Sequence, residues 1–289
     1  MIHVVPGVLH RYDPAVAPVP VLVDVSRSGR EYPADFRSPL PFSVVHDNVS
    51  MYVDELYASA PKFGATLLYA LFPNTYIDTN RSELDIDPAM IDGEWPAPLA
   101  PTVSKSGLGL LKSKSRYGEP MQERKFTVAE VRERLDRYYR PYHAELKSSV
   151  DRLKRMHGFV YHISCHCMSA VGAPTHRDRG RPRPDFCISD INGTTATPDF
   201  VAFIESAIRG LGYSVKINDP YVGGELNSRH GAPADGVESI MLEINKKLFM
   251  DVATFKRSPR FGAVKENIDQ LLAAIAQHAR STAGRSTPR

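Results

Sequence analysis

Val160–Ser169, reading VYHISCHCMS, constrains the fold of this chain more than any other stretch. Apolar and polar side chains alternate along it with the period of two that sends neighbours to opposite faces of a β-strand. The segment stops on Cys165-His166-Cys167, and chemistry at the C-terminal end of a strand is the habit of α/β sheets. Further strands are expected at Pro20–Val25, Ala65–Phe72, Phe186–Ile191, Tyr213–Asn218 and Ile240–Ile244. Helical patterns fall between them. Thr127-Val128-Ala129-Glu130 is a capping box opening a helix that runs toward Met156 and breaks or kinks near Pro141. Pro198–Leu211 and Phe261–Arg280 complete the set, the latter with Ile268, Leu271, Leu272 and Ile275 on one face. This alternation predicts an α/β sheet with helices on both faces.

At 289 residues, with 42% apolar and 24% charged residues, the chain has the composition of a globular protein with a sizeable core. It lacks an apolar run near the roughly 20 residues of a membrane span, and its first residues lack the pattern of a secretory signal. Three cysteines make no disulfide framework and point to a reducing, cytoplasmic setting. The net charge is only +3. The basic runs Lys112–Arg116 and Arg177–Arg183 read as solvated loops, so no nucleic-acid partner is expected. Residues 82–117 are rich in Pro, Gly and Ser without periodicity, the mark of a functional rim or lid. The polar Ser281–Arg289 stretch reads as a flexible tail.

Four places could carry chemistry. His166 ends the strand, but Cys165 and Cys167 point to the opposite face, so the tripeptide alone makes no metal triad and Cys167 is poorly aimed as a nucleophile. Glu243 sits in the apolar run IMLEI, where a carboxylate must be paired, protonated or functional. Asn80-Arg81 follows the second strand and suits an anion clamp. Asn218-Asp219-Pro220-Tyr221-Val222-Gly223-Gly224 is a strand end and turn whose glycines allow close backbone approach to a ligand.

Taken in order, short stretches along Val21–Asp251 resemble the N-formylglutamate amidohydrolase family. They include Ser28-Gly29-Arg30-Glu31-Tyr32, Val53-Asp54-Glu55-Leu56-Tyr57, Tyr76-Ile77-Asp78-Thr79-Asn80-Arg81, Arg140-Pro141-Tyr142-His143, Cys165-His166, Pro184-Asp185-Phe186, Asn218-Asp219-Pro220-Tyr221 and Leu242-Glu243-Ile244-Asn245. The resemblance implies one domain over residues 1–280 with a mixed central sheet flanked by helices, phosphorylase/hydrolase-like and similar to the zinc carboxypeptidases. It implies hydrolysis of an N-acyl amino acid by a zinc-bound water. His166 would be a metal ligand, Glu243 the base, Asn80 and Arg81 the holders of the substrate carboxylate, and Asn218, Tyr221 and Gly223 further substrate contacts.

This chain departs from that pattern. Where the family carries a metal-binding His after the first strand it has Arg27, and a guanidinium donates but cannot ligate. Ser50 stands where a second, acidic ligand is expected, and Cys167 replaces a Ser. Zinc is therefore expected to be weak or absent, with His46 and Asp47 as substitute ligands if one is bound. The alternative is a metal-free relative that binds a small carboxylate-bearing ligand, or does altered chemistry, with Arg27 supplying the metal's charge.

Overall fold

The apolar strand segments assemble into one mixed sheet of eight strands in the computed structural model, which describes residues 1–285. In chain order the strands are β1 (Ile2–Val5), β2 (Leu9–Tyr12), β3 (Val21–Val25), β4 (Thr66–Ala70), β5 (Ile91–Asp92), β6 (Phe126–Thr127), β7 (Val160–Met168), β8 (Phe186–Ser189), β9 (Val215–Ile217) and β10 (Val237–Asn245). The large sheet has the order β1-β2-β4-β3-β7-β10-β8-β9, while β5 and β6 form a separate ribbon. The four central strands β4, β3, β7 and β10 run parallel; β2 and β8 flank them antiparallel. The helices are α1 (Phe42–His46), α2 (Val53–Leu56), α3 (Val128–Arg134), α4 (Arg140–His157), α5 (Pro198–Gly210), α6 (Glu225–His230) and α7 (Phe261–Arg285).

Parallel central strands are buried on both faces, and here the two faces differ in chemistry. Register places Val23, Ile163 and Ile240 side by side, and with Val21, Cys165, Leu242 and Ile244 they pack against Phe200, Ile204 and Ile208 of α5 and Ile268, Leu271 and Ile275 of α7. The opposite face carries Asp24, His162, Ser164, His166, Ser239 and Glu243, all buried, with α4 and α6 packed against these strands. The alternation in VYHISCHCM thus separates an oily face from a buried polar one, rather than core from solvent. Buried polar groups must find partners or serve a ligand.

Most predicted elements appear with shifted ends. β7 runs Val160–Met168, one residue past Cys167, β8 stops at Ser189 and β9 keeps only Val215–Ile217. The capping box forms: Thr127 N donates to Glu130 Oε2 at 2.7 Å and Glu130 N to Thr127 Oγ1 at 3.2 Å. The helix is interrupted near Pro141, which sits in the first turn of α4. A π-helical stretch, Leu135–Tyr139, joins α3 to α4 just before it, which accommodates a residue with no N–H to give to the preceding turn. α7 continues to Arg285, so the expected tail begins inside this helix, and residues 286–289 lie outside the described residues. The irregular segment 82–117 is tied down: Leu110 O accepts from Asp78 N, and Leu110 N donates to Asp85 O, both at 3.0 Å. No helix among the described residues is long and apolar enough to cross a membrane.

Ile163 is fully buried at the centre of the apolar face. Ile163→Ala is expected to lower unfolding stability by about 2–4 kcal/mol, read as a reduced urea midpoint at an unchanged m-value.

Candidate functional site

The site lies where β3, β7 and β10 end. The chain leaves β3 into Ser26-Arg27-Ser28-Gly29, and this turn is clasped to the one before α2. Ser50 N donates to Arg27 O at 2.9 Å, and Ser28 Oγ donates to Ser50 O at 2.6 Å. Position 29 must be glycine, because a Cβ there would lie 2.0 Å from Phe72 O. Positions 27 and 50 are therefore neighbours.

Arg27 meets Asp78 in a two-pronged pair, Nε to Oδ1 at 2.8 Å and Nη2 to Oδ2 at 2.7 Å. Lys112 Nζ reaches the same carboxylate at 2.7 Å, and Asn80 N donates to it at 3.1 Å. Burial alone would raise the Asp78 carboxyl, but the cations Arg27, Lys112 and Arg81 override it and hold it far below the usual range. Burial, reinforced by Arg27 and Arg81, lowers Lys112 to about 8 despite Asp78. Two cations thus pair with one buried carboxylate, and a third, Arg81, lies near enough to stabilise its charge.

α4 and the π-helical stretch before it hold the neighbouring Thr79-Asn80-Arg81 turn from outside. Tyr139 Oη donates to Arg81 O at 2.8 Å, and His143 Nε2 lies 2.9 Å from Thr79 O. The Arg81 guanidinium is fixed by Nε to Leu108 O at 2.9 Å and Nη1 to Asn80 O at 2.8 Å. Asn80 Oδ1 accepts from Leu226 N at 3.1 Å, and Gly224 packs so closely that a Cβ would stand 2.3 Å from that oxygen. Asn80 therefore turns its amide nitrogen toward His166 Nε2, 3.4 Å away.

His166 on β7 and Glu243 on β10 are register partners, and Cys187 on β8 pairs with Glu243 from the other side. All three are buried. Glu243 Oε2 and His166 Nδ1 have no hydrogen-bond partner in the protein. Burial raises Glu243 to about 7, against the lowering pull of Arg27, Arg183, Arg81 and Lys246. Burial and then Arg27 bring His166 down to about 3, so the ring is neutral.

The structure brings Arg27, Asn80, Arg81, His166 and Glu243 together. Tyr221 joins them: burial and then Glu243 raise its phenol, and its ring lies 5.0 Å beneath the Arg183 guanidinium. Asn218 is instead committed to Asp190, donating Nδ2 to Oδ1 at 2.7 Å and accepting from N at 3.1 Å. Gly223 packs against Ile191, whose Cγ1 would be 2.6 Å from a Cβ there. The expected substitute ligands are also committed. His46 Nδ1 contacts Tyr32 Oη at 3.1 Å, while Asp47 is held by Arg116 at 3.2 Å, Tyr117 Oη at 2.8 Å and Lys246 at 3.4 Å. Cys167 lies toward the apolar face, its thiol pushed up to about 11 by burial. Lys112, Asp78 and Arg183 were not singled out by sequence reasoning. Lys112 reads as loop charge until Asp78 is placed beside it.

Among the described residues no group of three or more His, Cys, Asp or Glu side chains is placed to hold a metal ion. Arg27 brings a fixed cation beside His166 and Glu243, and Ser50 offers a neutral hydroxyl next to it. This donor set does not fit zinc.

Fold and site together define an α/β protein with a buried carboxylate and a gathered set of cations at the C-terminal ends of parallel strands. The chain belongs to the N-formylglutamate amidohydrolase family, which it matches over residues 19–250. A crystal structure of N-formylglutamate amidohydrolase from Ralstonia eutropha JMP134 is 36% identical, covers 96% of this chain and 99% of its own, and superposes with a TM-score of 0.89. The N-formylglutamate deformylase of Pseudomonas putida is 26% identical over 203 residues, 69% of this chain and 70% of that protein. A gene product of Agrobacterium tumefaciens, 17% identical with a TM-score of 0.65 over 94% of this chain and 96% of its own, shares the fold.

Glu243 gives a pH signature. Its folded pKa of about 7 lies above the ordinary 4.5, so between these values the folded state keeps a proton that the unfolded chain has lost. Stability linked to this group is full below pH ~4.5 and falls as pH rises through about 7. Glu243→Gln removes that fall. The variant is expected to gain about 2–3 kcal/mol on the native chain between pH 4.5 and 8, measured by urea unfolding at both pH values.

Proposed function

We propose that this chain binds a small N-acyl amino acid carrying a carboxylate, in the family's pocket but without its metal. Arg27 supplies the fixed positive charge assigned to zinc by the resemblance. The observation that carries this reading is the Arg27–Asp78 pair, which anchors a guanidinium beside His166 and Glu243. Arg81, with its plane set by two backbone carbonyls, is oriented to receive the ligand's carboxylate. Lys112 adds a second cation on Asp78. A degenerate metal site is thus a site rebuilt around a permanent cation. The names of the relatives suggest N-formylglutamate as the first ligand to try. The unbridged cysteines suit a reducing cytoplasm, where we expect the chain to work.

Glu243 supports a second reading, metal-independent hydrolysis. Held near pH 7, it is poised to take a proton from water as the water oxygen bonds to the acyl carbon. The same proton would pass to the departing nitrogen as the C–N bond breaks. Arg27 would stabilise the charge that develops on the acyl oxygen.

Calorimetric titration with N-formyl- and N-acetyl-L-glutamate tests the binding. Arg81→Ala is expected to weaken it about 10- to 100-fold, the range for hydrogen bonds to a charged group. Turnover lost in Glu243→Gln while binding persists would favour hydrolysis; binding with no turnover in the native chain would favour a binding protein. Metal analysis of chelator-free protein separates both from a zinc enzyme. The native chain is expected to hold no stoichiometric zinc, and Arg27→His with Ser50→Asp to acquire about one ion per chain. Tight zinc in the native protein overturns the proposal.

A further inference from the structure

A chain of hydrogen bonds on the polar face of the sheet ends at His166. Asp24 on β3 is fully buried, and accepts from Tyr142 Oη of α4 and from Ser164 Oγ at 3.0 Å. Ser164 Oγ also lies 2.9 Å from His166 Nε2. A serine hydroxyl has one proton to give. Burial would raise the Asp24 carboxyl, but His162, 3.7 Å away, and the Tyr142 hydroxyl hold it below its ordinary value, so it remains an acceptor. The Ser164 proton is therefore committed to Asp24. The 2.9 Å contact with His166 is then a hydrogen bond only when Nε2 carries the ring proton.

The competing neighbour of Nε2 is Asn80 Nδ2 at 3.4 Å, a donor facing a donor in this tautomer. Asn80 cannot flip to relieve it without losing the bond from Leu226 N to its Oδ1. Distance decides between the two arrangements. Two facing lone pairs at 2.9 Å repel more strongly than two donors at 3.4 Å, which sits at the weak end of hydrogen-bond range. The opposite tautomer would also bury an Nδ1–H with no acceptor, since that atom has no partner in the protein.

We infer that Asp24, acting through Ser164, is a positioning residue: it holds His166 as the Nε2–H tautomer, leaving the Nδ1 lone pair as a neutral acceptor matched to an N–H group on a bound ligand. The cations nearby, Arg27, Arg81 and Lys112, can only donate. A carboxylate suits them, whereas an amide N–H needs an acceptor. His166 Nδ1 shares its sheet face with Glu243, the register neighbour, and stays an acceptor whichever way Glu243 is protonated. The match to the amide of an N-acyl amino acid rests on the function proposed above. The tautomer does not.

The test is two-bond 1H–15N correlation NMR on the full chain with 15N-labelled histidine, the His166 signals being assigned by their loss in His166→Gln. The expected native pattern is Nε2–H. Ser164→Ala is expected to move it toward Nδ1–H, and Ser164→Thr, which keeps the hydroxyl, to preserve it. A native His166 in the Nδ1–H form, or an unchanged pattern in Ser164→Ala, overturns the inference. If Ser164→Ala does not fold, the native spectrum alone decides. Addition of N-acetyl-L-glutamate is expected to shift the Nδ1 resonance upfield as it accepts a hydrogen bond. Binding that leaves Nδ1 unmoved overturns the ligand match. Failure to bind at all overturns the match together with the proposed function, while the ligand-free tautomer still stands or falls on its own spectrum.

Discussion

The Asp78 carboxylate is the interaction on which the site depends. It is wholly buried and accepts from Arg27, Lys112 and the Asn80 amide. Those donors belong to the turn after β3, the irregular 82–117 segment and the turn after β4, so one anion joins three otherwise separate pieces of chain. Burying a carboxylate costs several kcal/mol unless it is paired and hydrogen-bonded; here the donors offset that cost only when all three segments are in place. The geometry of the strand ends is thereby coupled to the docking of a long segment with little regular structure of its own.

Around this anion the sheet divides its labour. One face packs aliphatic side chains against α5 and α7, and it does not depend on the polar row for its cohesion. The other face buries Asp24, His162, Ser164 and His166 in a row, most of whose members bond one another or the helices above. Low local dielectric strengthens such networks when complete and penalises them when broken. Glu243 Oε2 and His166 Nδ1 at the strand ends are among the buried atoms this network leaves without a partner, as is His162 Nε2 further down the strand.

The sequence showed the central strands because each is a dense apolar run, and it showed the capping box because its two residues are three apart. The β1–β2 hairpin escaped notice, since Ile2 and Val4 are exposed on an edge and give no contrast of faces. Arg27, Asn80, Arg81, His166 and Glu243 come from separate motifs, and no periodicity could have joined positions so far apart. Lys112 was hidden because a basic run interleaved with serine looks solvated, and its partner lies 34 residues earlier. Asp24 was legible in principle. A carboxylate inside PVLVDV raises the same question as Glu243 inside IMLEI, since both lie in apolar runs that form buried strands.

The clasp between the turn after β3 and the turn before α2 is made by the main chain of Arg27 and Ser50 and by the Ser28 hydroxyl. The side chains of residues 27 and 50 play no part in it. Their juxtaposition is therefore inherited from backbone hydrogen bonds; a change at Ser50 leaves the clasp intact, whereas a change at Arg27 leaves the clasp but removes a partner of Asp78. A scaffold built this way lets its chemistry drift faster than its shape.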